Sequence, residues 1–201
     1  MYHILQRIYD LYIPTFQKLE QYRPWLVFEN YFTQDECDKI IALGQSHVLK
    51  QGRIRNDELD RELRKSQVCY IKCTPESSWV FEKADQLLRL CNKKIYNFKL
   101  TGFYRSLQFT EYKEGGDHYV WHQDLGPGKQ STRKLSFTIQ LSGPDDYIGG
   151  ELEFPHMLSR AVSKSRGTVI VFPAYELHGV RPVVSGTRYS LVGWMHGPHF
   201  R

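Results

Sequence analysis

Leu107-Gln-Phe-Thr-Glu-Tyr112 opens a stretch of short runs rich in β-branched and aromatic residues, punctuated by Gly, Pro and Asp. The pattern returns at 119 to 124, 134 to 141, 150 to 154, 168 to 172 and 187 to 195. Six short strands in this rhythm predict two antiparallel sheets facing each other, a jelly roll or double-stranded β-helix, over about 101–198. Residues about 1–100 read differently, as helical support. Thr33 and Glu36 have the spacing of a capping box, with Phe32 before the cap and Gly44 as a stop, which predicts a helix from about 34 to 48. Apolar residues recur at helical spacing from Ser78 to Cys91 and predict a second helix over about 78–92. Both apolar stripes are expected to pack on the outside of the sheet. The fold class expected is mainly β with supporting helices.

Composition limits the architecture to one unit. A chain of 201 residues, 41% hydrophobic, can bury one sizeable core, and no composition break, repeat or low-complexity run divides it. The formal charge of +5 is mild. It could favour anionic ligands, but no Lys/Arg run with interleaved aromatics marks a nucleic-acid track, and solvated surface charge is the simpler reading. Met1 to Asp10 carries charge and no apolar segment before a small-residue cleavage site, and nothing later approaches a spanning length, so a soluble cytoplasmic protein with no membrane partner is expected. Cys37, Cys69, Cys73 and Cys91 form no C-x-x-C pair and fall in segments that read as core, so four free buried thiols are expected.

The chemistry lies in four residues. In Tyr119-Val-Trp-His122-Gln-Asp124, His122 and Asp124 are two apart, so on an extended strand both side chains leave the same face. His178 follows the strand-like run Thr168 to Phe172 and a short loop, so a neighbouring strand can deliver it to the same place. Two imidazoles and a carboxylate make the facial set that suits Fe(II) and leaves three coordination positions open. Taken singly, each histidine is more commonly a surface or hydrogen-bonded residue. Arg188 strengthens the combination: in Gly186 to Trp194 the even positions share a face, so Arg188 and Ser190 point inward together. An inward arginine is costly unless it meets an anion, either a core carboxylate or a bound one.

Together these residues resemble the 2-oxoglutarate and Fe(II)-dependent dioxygenases, in the prolyl 4-hydroxylase-like (PKHD-type) branch. That family's signature is His-x-Asp, a distal His and a basic residue about ten further on, matched by His122, Asp124, His178 and Arg188. Gly149-Gly-Glu-Leu152 resembles its "GGEL" strand, with Asp145-Asp146-Tyr147 as lead-in, and Tyr112 stands ten before His122, where the branch often carries a tyrosine. The resemblance runs from about Gly102 to Trp194. It implies His122, Asp124 and His178 as metal ligands, and Arg188, Ser190 and Tyr112 as partners of the cosubstrate's distal carboxylate. Trp194 and Leu152 are implied beside the cosubstrate, though both could equally be ordinary core residues. Implied cofactors are Fe(II), 2-oxoglutarate and O2, with ascorbate as a possible reductant, and the implied products are succinate and CO2.

Two positions narrow the branch. Nucleic-acid demethylases of the superfamily carry a second arginine six residues after the first, where this chain has Trp194. Halogenating members lack the carboxylate that Asp124 supplies, so hydroxylation is implied. The expected substrate is proline in a peptide or protein. A free amino acid or other small molecule is the alternative, and a non-catalytic cupin-like binding module is the rival class. Lys50 to Lys65, dense in both charge signs, reads as an exposed loop or marginal helix, or else as a substrate lid. Gly115-Gly116-Asp117-His118 reads as a turn, with His118 either solvent-facing or a substrate contact.

Overall fold

The computed structural model describes residues 23–54, 58–104, 106–155 and 162–200. The segment Met1 to Asp10 and residues 55–57 of the candidate lid lie outside the described residues. Two antiparallel sheets face each other, as the strand rhythm predicts. The major sheet takes the order β1 (Leu26–Phe28), β11 (Val169–Pro173), β8 (Arg133–Gln140), β13 (Val183–His196), β6 (Ser106–Lys113), β4 (Gln67–Lys72) and β2 (Lys50–Gln51). Two short strands, β5 (Gly102–Phe103) and β9 (Tyr147–Gly149), pair with β13 off that path. The minor sheet runs β10 (Leu152–Glu153), β12 (His178–Val180), β7 (His118–His122), β3 (Arg64–Lys65).

Two helices cover the outer face of the major sheet. Helix α1 (Gln34–Gln45) starts at a complete capping box: the Thr33 hydroxyl accepts from the Glu36 amide at 3.2 Å, and the Glu36 carboxylate accepts from the Thr33 amide at 2.7 Å. Gly44 is not its stop. It lies inside the helix, buried, where a Cβ would collide with the Phe109 ring, so its lack of a side chain is what lets α1 lie against β6. Helix α2 (Ser78–Cys91) continues into a π-helical turn, Asn92–Tyr96, and ends at Asn97 with φ of 53°.

Period-two alternation sorts the sheet residues. Odd positions Leu107, Phe109, Leu135, Phe137, Ile139 and Leu191 join Ile40, Val80, Ala84, Leu87 and Leu88 of the helices in one apolar core. The even positions Gln108, Tyr112, Thr138, Arg188 and Ser190 face the opposite way and line a cavity between the sheets. Burial on both faces explains why β8 and β6 show no exposed alternation.

The amino-terminal half departs from a purely helical reading. It supplies β1, β2 and β4 to the major sheet and β3 to the minor one. Residues 50–65 are accordingly not a free loop at their ends: Lys50 pairs with Val68, Arg64 with Tyr119, and Leu63 accepts a hydrogen bond from the Val120 amide. These strands have two to six residues, too short for periodicity to separate from a loop. Cys73 corrects the cysteine expectation, being exposed, while Cys37, Cys69 and Cys91 are buried free thiols. Among the described residues no helix is long and apolar enough to cross a membrane.

Candidate metal and anion site

Strand pairing brings the metal-type residues together. His178 opens β12 directly opposite His122, the last residue of β7. The strand predicted through Asp124 ends at His122, so Asp124 sits in the following bend rather than on the strand, yet its carboxylate still faces both rings. The Nε2 atom of His122 lies 3.9 Å from Asp124 Oδ1, and that of His178 lies 3.7 Å from Oδ2. The three side chains offer ligand atoms that all lie within 4.8 Å of one another.

Tautomers are fixed by the backbone. His122 Nδ1 is 2.9 Å from the Val120 carbonyl and His178 Nδ1 is 2.9 Å from the Glu176 carbonyl. A carbonyl only accepts, so each Nδ1 bears the proton and each Nε2 presents a lone pair. Burial, and then the neighbouring His178, push His122 well below the ordinary imidazole range, which keeps its ring neutral. For Asp124, burial favours the neutral acid, but His178, His122 and Arg133 together outweigh it and hold the group ionised. Two lone pairs thus confront a carboxylate whose Oδ2 is buried without a hydrogen-bond partner. Acceptors repel unless a cation joins them, and bonds of about 2.1 Å to one divalent ion put donor atoms about 3–4 Å apart, depending on the angle. The residues fit a facial Fe(II) site.

Tyr119 was not among the residues singled out from the sequence, yet its ring stacks on His122 with centroids 3.5 Å apart. The cause is a bulge. His178 pairs with His122 but Val180 pairs with Tyr119, so β7 carries one more residue than β12 over this interval, and an odd and an even position end on one face. Simple alternation could not have found it.

Arg188 stands on the opposite wall. It is 1% exposed and is the largest of the fully buried side chains. Its Nη2 donates to Gln140 Oε1 at 2.8 Å and its Nη1 reaches Ser190 Oγ at 3.5 Å, while Nε has no partner. Both partners are neutral, and among the described residues no carboxylate pairs with it. Tyr112 sits opposite on β6, its ring centroid 5.3 Å from the guanidinium carbon. Gly150 explains the Gly149-Gly150 pair that precedes Leu152: with φ of 64°, a Cβ there would meet Val183 Cγ2 at 2.9 Å and Arg188 Cδ at 3.1 Å. A glycine lets the arginine stem lie against the backbone.

His122, Asp124, His178, Tyr112, Leu152, Arg188, Ser190 and Trp194 all line one cavity of about 680 Å³. Leu152 is buried in the smaller apolar cluster beside Phe154 and Phe172, and Trp194 carries the Arg133 guanidinium 3.7 Å from its ring centroid. His118 is not among the lining residues and is half-buried. Its ring nitrogens lie 2.7 Å from the Gly116 carbonyl and 2.9 Å from that of Glu62, so it ties the β7 turn to the segment before β3. Arg133 and Gln140 also line or border the cavity and went unnoticed in the sequence, because nothing in their local spacing signals a site, while Arg64, which lines it too, lay in the segment read as a loop or substrate lid.

Known proteins with the same features place this arrangement in a family. Residues 107–196 match the model of the 2OG-Fe(II) oxygenase superfamily. A PKHD-type hydroxylase of Synechococcus sp. strain CC9902 is 43% identical over 83 residues, spanning 41% of this chain and only 37% of that protein. A PKHD-type hydroxylase of Hyphomonas neptunium is 30% identical over 179 residues, 85% of this chain and 77% of the relative. The chain belongs to the PKHD-type hydroxylases of the 2OG-Fe(II) oxygenase superfamily. The fold of this PKHD-type chain is shared with a Trichoplax adhaerens prolyl hydroxylase solved with a peptide of hypoxia inducible factor, at TM-score 0.77, 18% identity, and coverage of 96% and 91% of the two chains. It is also shared with a Pseudomonas putida prolyl-4-hydroxylase, at TM-score 0.70, 20% identity, and coverage of 92% and 98%.

Proposed function

We propose that this chain is an Fe(II)- and 2-oxoglutarate-dependent hydroxylase that oxidises proline in a peptide or protein, releasing succinate and CO2. One observation carries the reading: a fully buried guanidinium without an anionic partner faces the same cavity as a His, Asp, His ligand set. Burying a cation unpaired is costly, so the cavity is built for an anion that arrives with the metal.

His122, Asp124 and His178 would hold Fe(II) through two Nε2 lone pairs and a carboxylate oxygen, leaving coordination positions for the cosubstrate and O2. With 2-oxoglutarate and O2, the bound iron supplies the power to oxidise an unactivated C–H bond. The chain's own contribution is geometric and electrostatic. Arg188 offers two N–H groups to the distal carboxylate, with Ser190 and Tyr112 as neutral donors beside it. Leu152 and Trp194 close the sides of the space between that carboxylate and the ligands, and the apolar cluster behind Leu152 excludes water there. The carbonyls of Val120 and Glu176 keep both imidazoles in the metal-binding tautomer.

A peptide target is supported by the rim of the cavity, where Tyr70 and Tyr104 are 53% and 60% exposed. Aromatic-lined openings suit extended, proline-containing segments. The purified protein incubated with Fe(II), ascorbate and 2-oxoglutarate should form succinate, and proline peptides should gain 16 mass units. Oxidation of free amino acids alone would refute the peptide reading. Absence of turnover together with absence of Fe(II) or Mn(II) binding would defeat the enzyme reading.

A further inference from the structure

Arg188 is not the only guanidinium sealed into the cavity. Arg64 enters on edge strand β3 and is 6% exposed. Its Nε donates to Ser66 Oγ at 3.0 Å and its Nη1 to the Arg53 carbonyl at 3.1 Å, while Nη2 makes no hydrogen bond among the described residues. Its Cζ lies 4.6 Å from the Tyr119 ring centroid. Arg133, half-buried, enters the same cavity from β8. Its Nη1 donates to the Asp124 carbonyl at 3.1 Å, and its Nε is buried without a partner. Among the described residues no carboxylate comes within ion-pairing distance of either group.

Among the described residues the charges of the cavity lining do not balance without a further anion. Its charged lining is Arg53, Arg64, Lys129, Arg133 and Arg188 against Asp124. A divalent ion would be balanced by Asp124 and the near carboxylate of 2-oxoglutarate, and Arg188 by the distal carboxylate. Arg53 and Lys129 are both exposed at the surface. Arg64 and Arg133 remain.

We propose that Arg64 and Arg133 form a second anion subsite, separate from that of Arg188, which binds a carboxylate of the substrate beside the carbon to be oxidised. This rests on the assignment of Arg188 to 2-oxoglutarate. It narrows the substrate class to carboxylate-bearing molecules, in which the anion is either an acidic side chain next to the target residue or the carboxylate of a free amino acid.

The test is calorimetric binding to the full chain loaded with Mn(II) and 2-oxoglutarate, which requires no turnover. Two matched pairs serve as probes: a blocked peptide with Asp or Asn adjacent to proline, and free proline or prolinamide. The carboxylate member of one pair should bind at least about tenfold more tightly, as charge-assisted hydrogen bonds predict, and the pair that discriminates identifies the source of the anion. Arg64→Gln should erase that preference, and Arg64→Lys should restore part of it. Members that bind equally within both pairs, or a preference that survives in Arg64→Gln and Arg133→Gln alike, would overturn the subsite. Failure to bind Mn(II) and 2-oxoglutarate in the first place would instead refute the underlying assignment.

Discussion

Replacing Arg188 with Met should have opposite effects on the empty and the loaded protein. In the empty protein the guanidinium is 1% exposed and bonded to the neutral Gln140 and Ser190, and among the described residues it has no carboxylate partner and its Nε is unsatisfied. An apolar side chain of similar length keeps the packing against Gly150 and removes a buried charge, a change worth about 1–4 kcal/mol in favour of the folded state. For a chain of this size each kcal/mol moves the melting temperature by about 2–4 °C, so the empty variant should melt at or above the wild type. The loaded protein loses a charge-assisted pair of hydrogen bonds, about 3–5 kcal/mol, or roughly a hundredfold or more in 2-oxoglutarate affinity. Thermal melts with Mn(II), with and without 2-oxoglutarate, read both effects. Cosubstrate at a hundred times its Kd should add about 2.7 kcal/mol to wild-type stability and little to the variant at the same concentration. A variant that melts far below wild type when empty, yet gains the same increment from 2-oxoglutarate, would show that Arg188 is structural and that the anion is held elsewhere.

Substituting His122, Asp124 or His178 by Ala should abolish activity and weaken Mn(II) binding in equilibrium titrations; undiminished binding in all three would remove the metal assignment. In metal-free protein, His122 and His196 are both held below their unfolded value of 6.5, His122 by burial and then His178, His196 to about 4 by burial and then Arg133. The unfolded chain therefore takes up these protons first, and stability should decline as pH falls below about 6.5, with the depressed Asp124 extending the decline at lower pH. Denaturant titrations giving equal stability at pH 7 and pH 4.5 would contradict this. Gly150→Ala should cost about 1–3 kcal/mol, because φ of 64° is strained for an L side chain and the new methyl meets Val183 and the Arg188 stem. Its 2-oxoglutarate affinity should fall with stability, and unchanged values of both would refute the packing argument.

The parts of the molecule legible in sequence are those governed by local rules. The capping box at Thr33 and Glu36 requires only four residues, and the helix begins where it says. Alternation around Arg188 likewise put Arg188 and Ser190 on one face, and both line the cavity with Tyr112. What escaped depends on contacts distant in the chain. Gly44 looked like a terminator because glycine commonly ends helices, but the decisive neighbour is Phe109, sixty-five positions away, so its meaning was steric. Tyr119 was hidden by a bulge that exists only because β12 is one residue shorter than the β7 segment it faces. Strands β2 and β3 have two residues each and are strands only through their partners. Arg133 carries no local signal at all, and Arg64 only that of the charge-dense segment in which it lies.

The orphaned polar atoms explain why such a costly interior persists. Among the described residues seven buried side-chain polar atoms lack a partner, and four of them, Asp124 Oδ2, Arg133 Nε, Arg188 Nε and Trp194 Nε1, belong to residues that line one cavity, while Ser136 Oγ, Tyr147 OH and Thr168 Oγ1 do not. The helix-facing side of the same strands is filled by Leu107, Phe109, Phe137 and Ile139. The major sheet is divided by purpose: its helix-facing side is apolar and serves stability, and its other side presents Arg188, Ser190 and Trp194 to the cavity and serves ligands. The stability lost on the inner face is recoverable only by what binds there. Folding and loading are thereby coupled, so metal and cosubstrate together should raise the melting temperature by more than the sum of their separate increments.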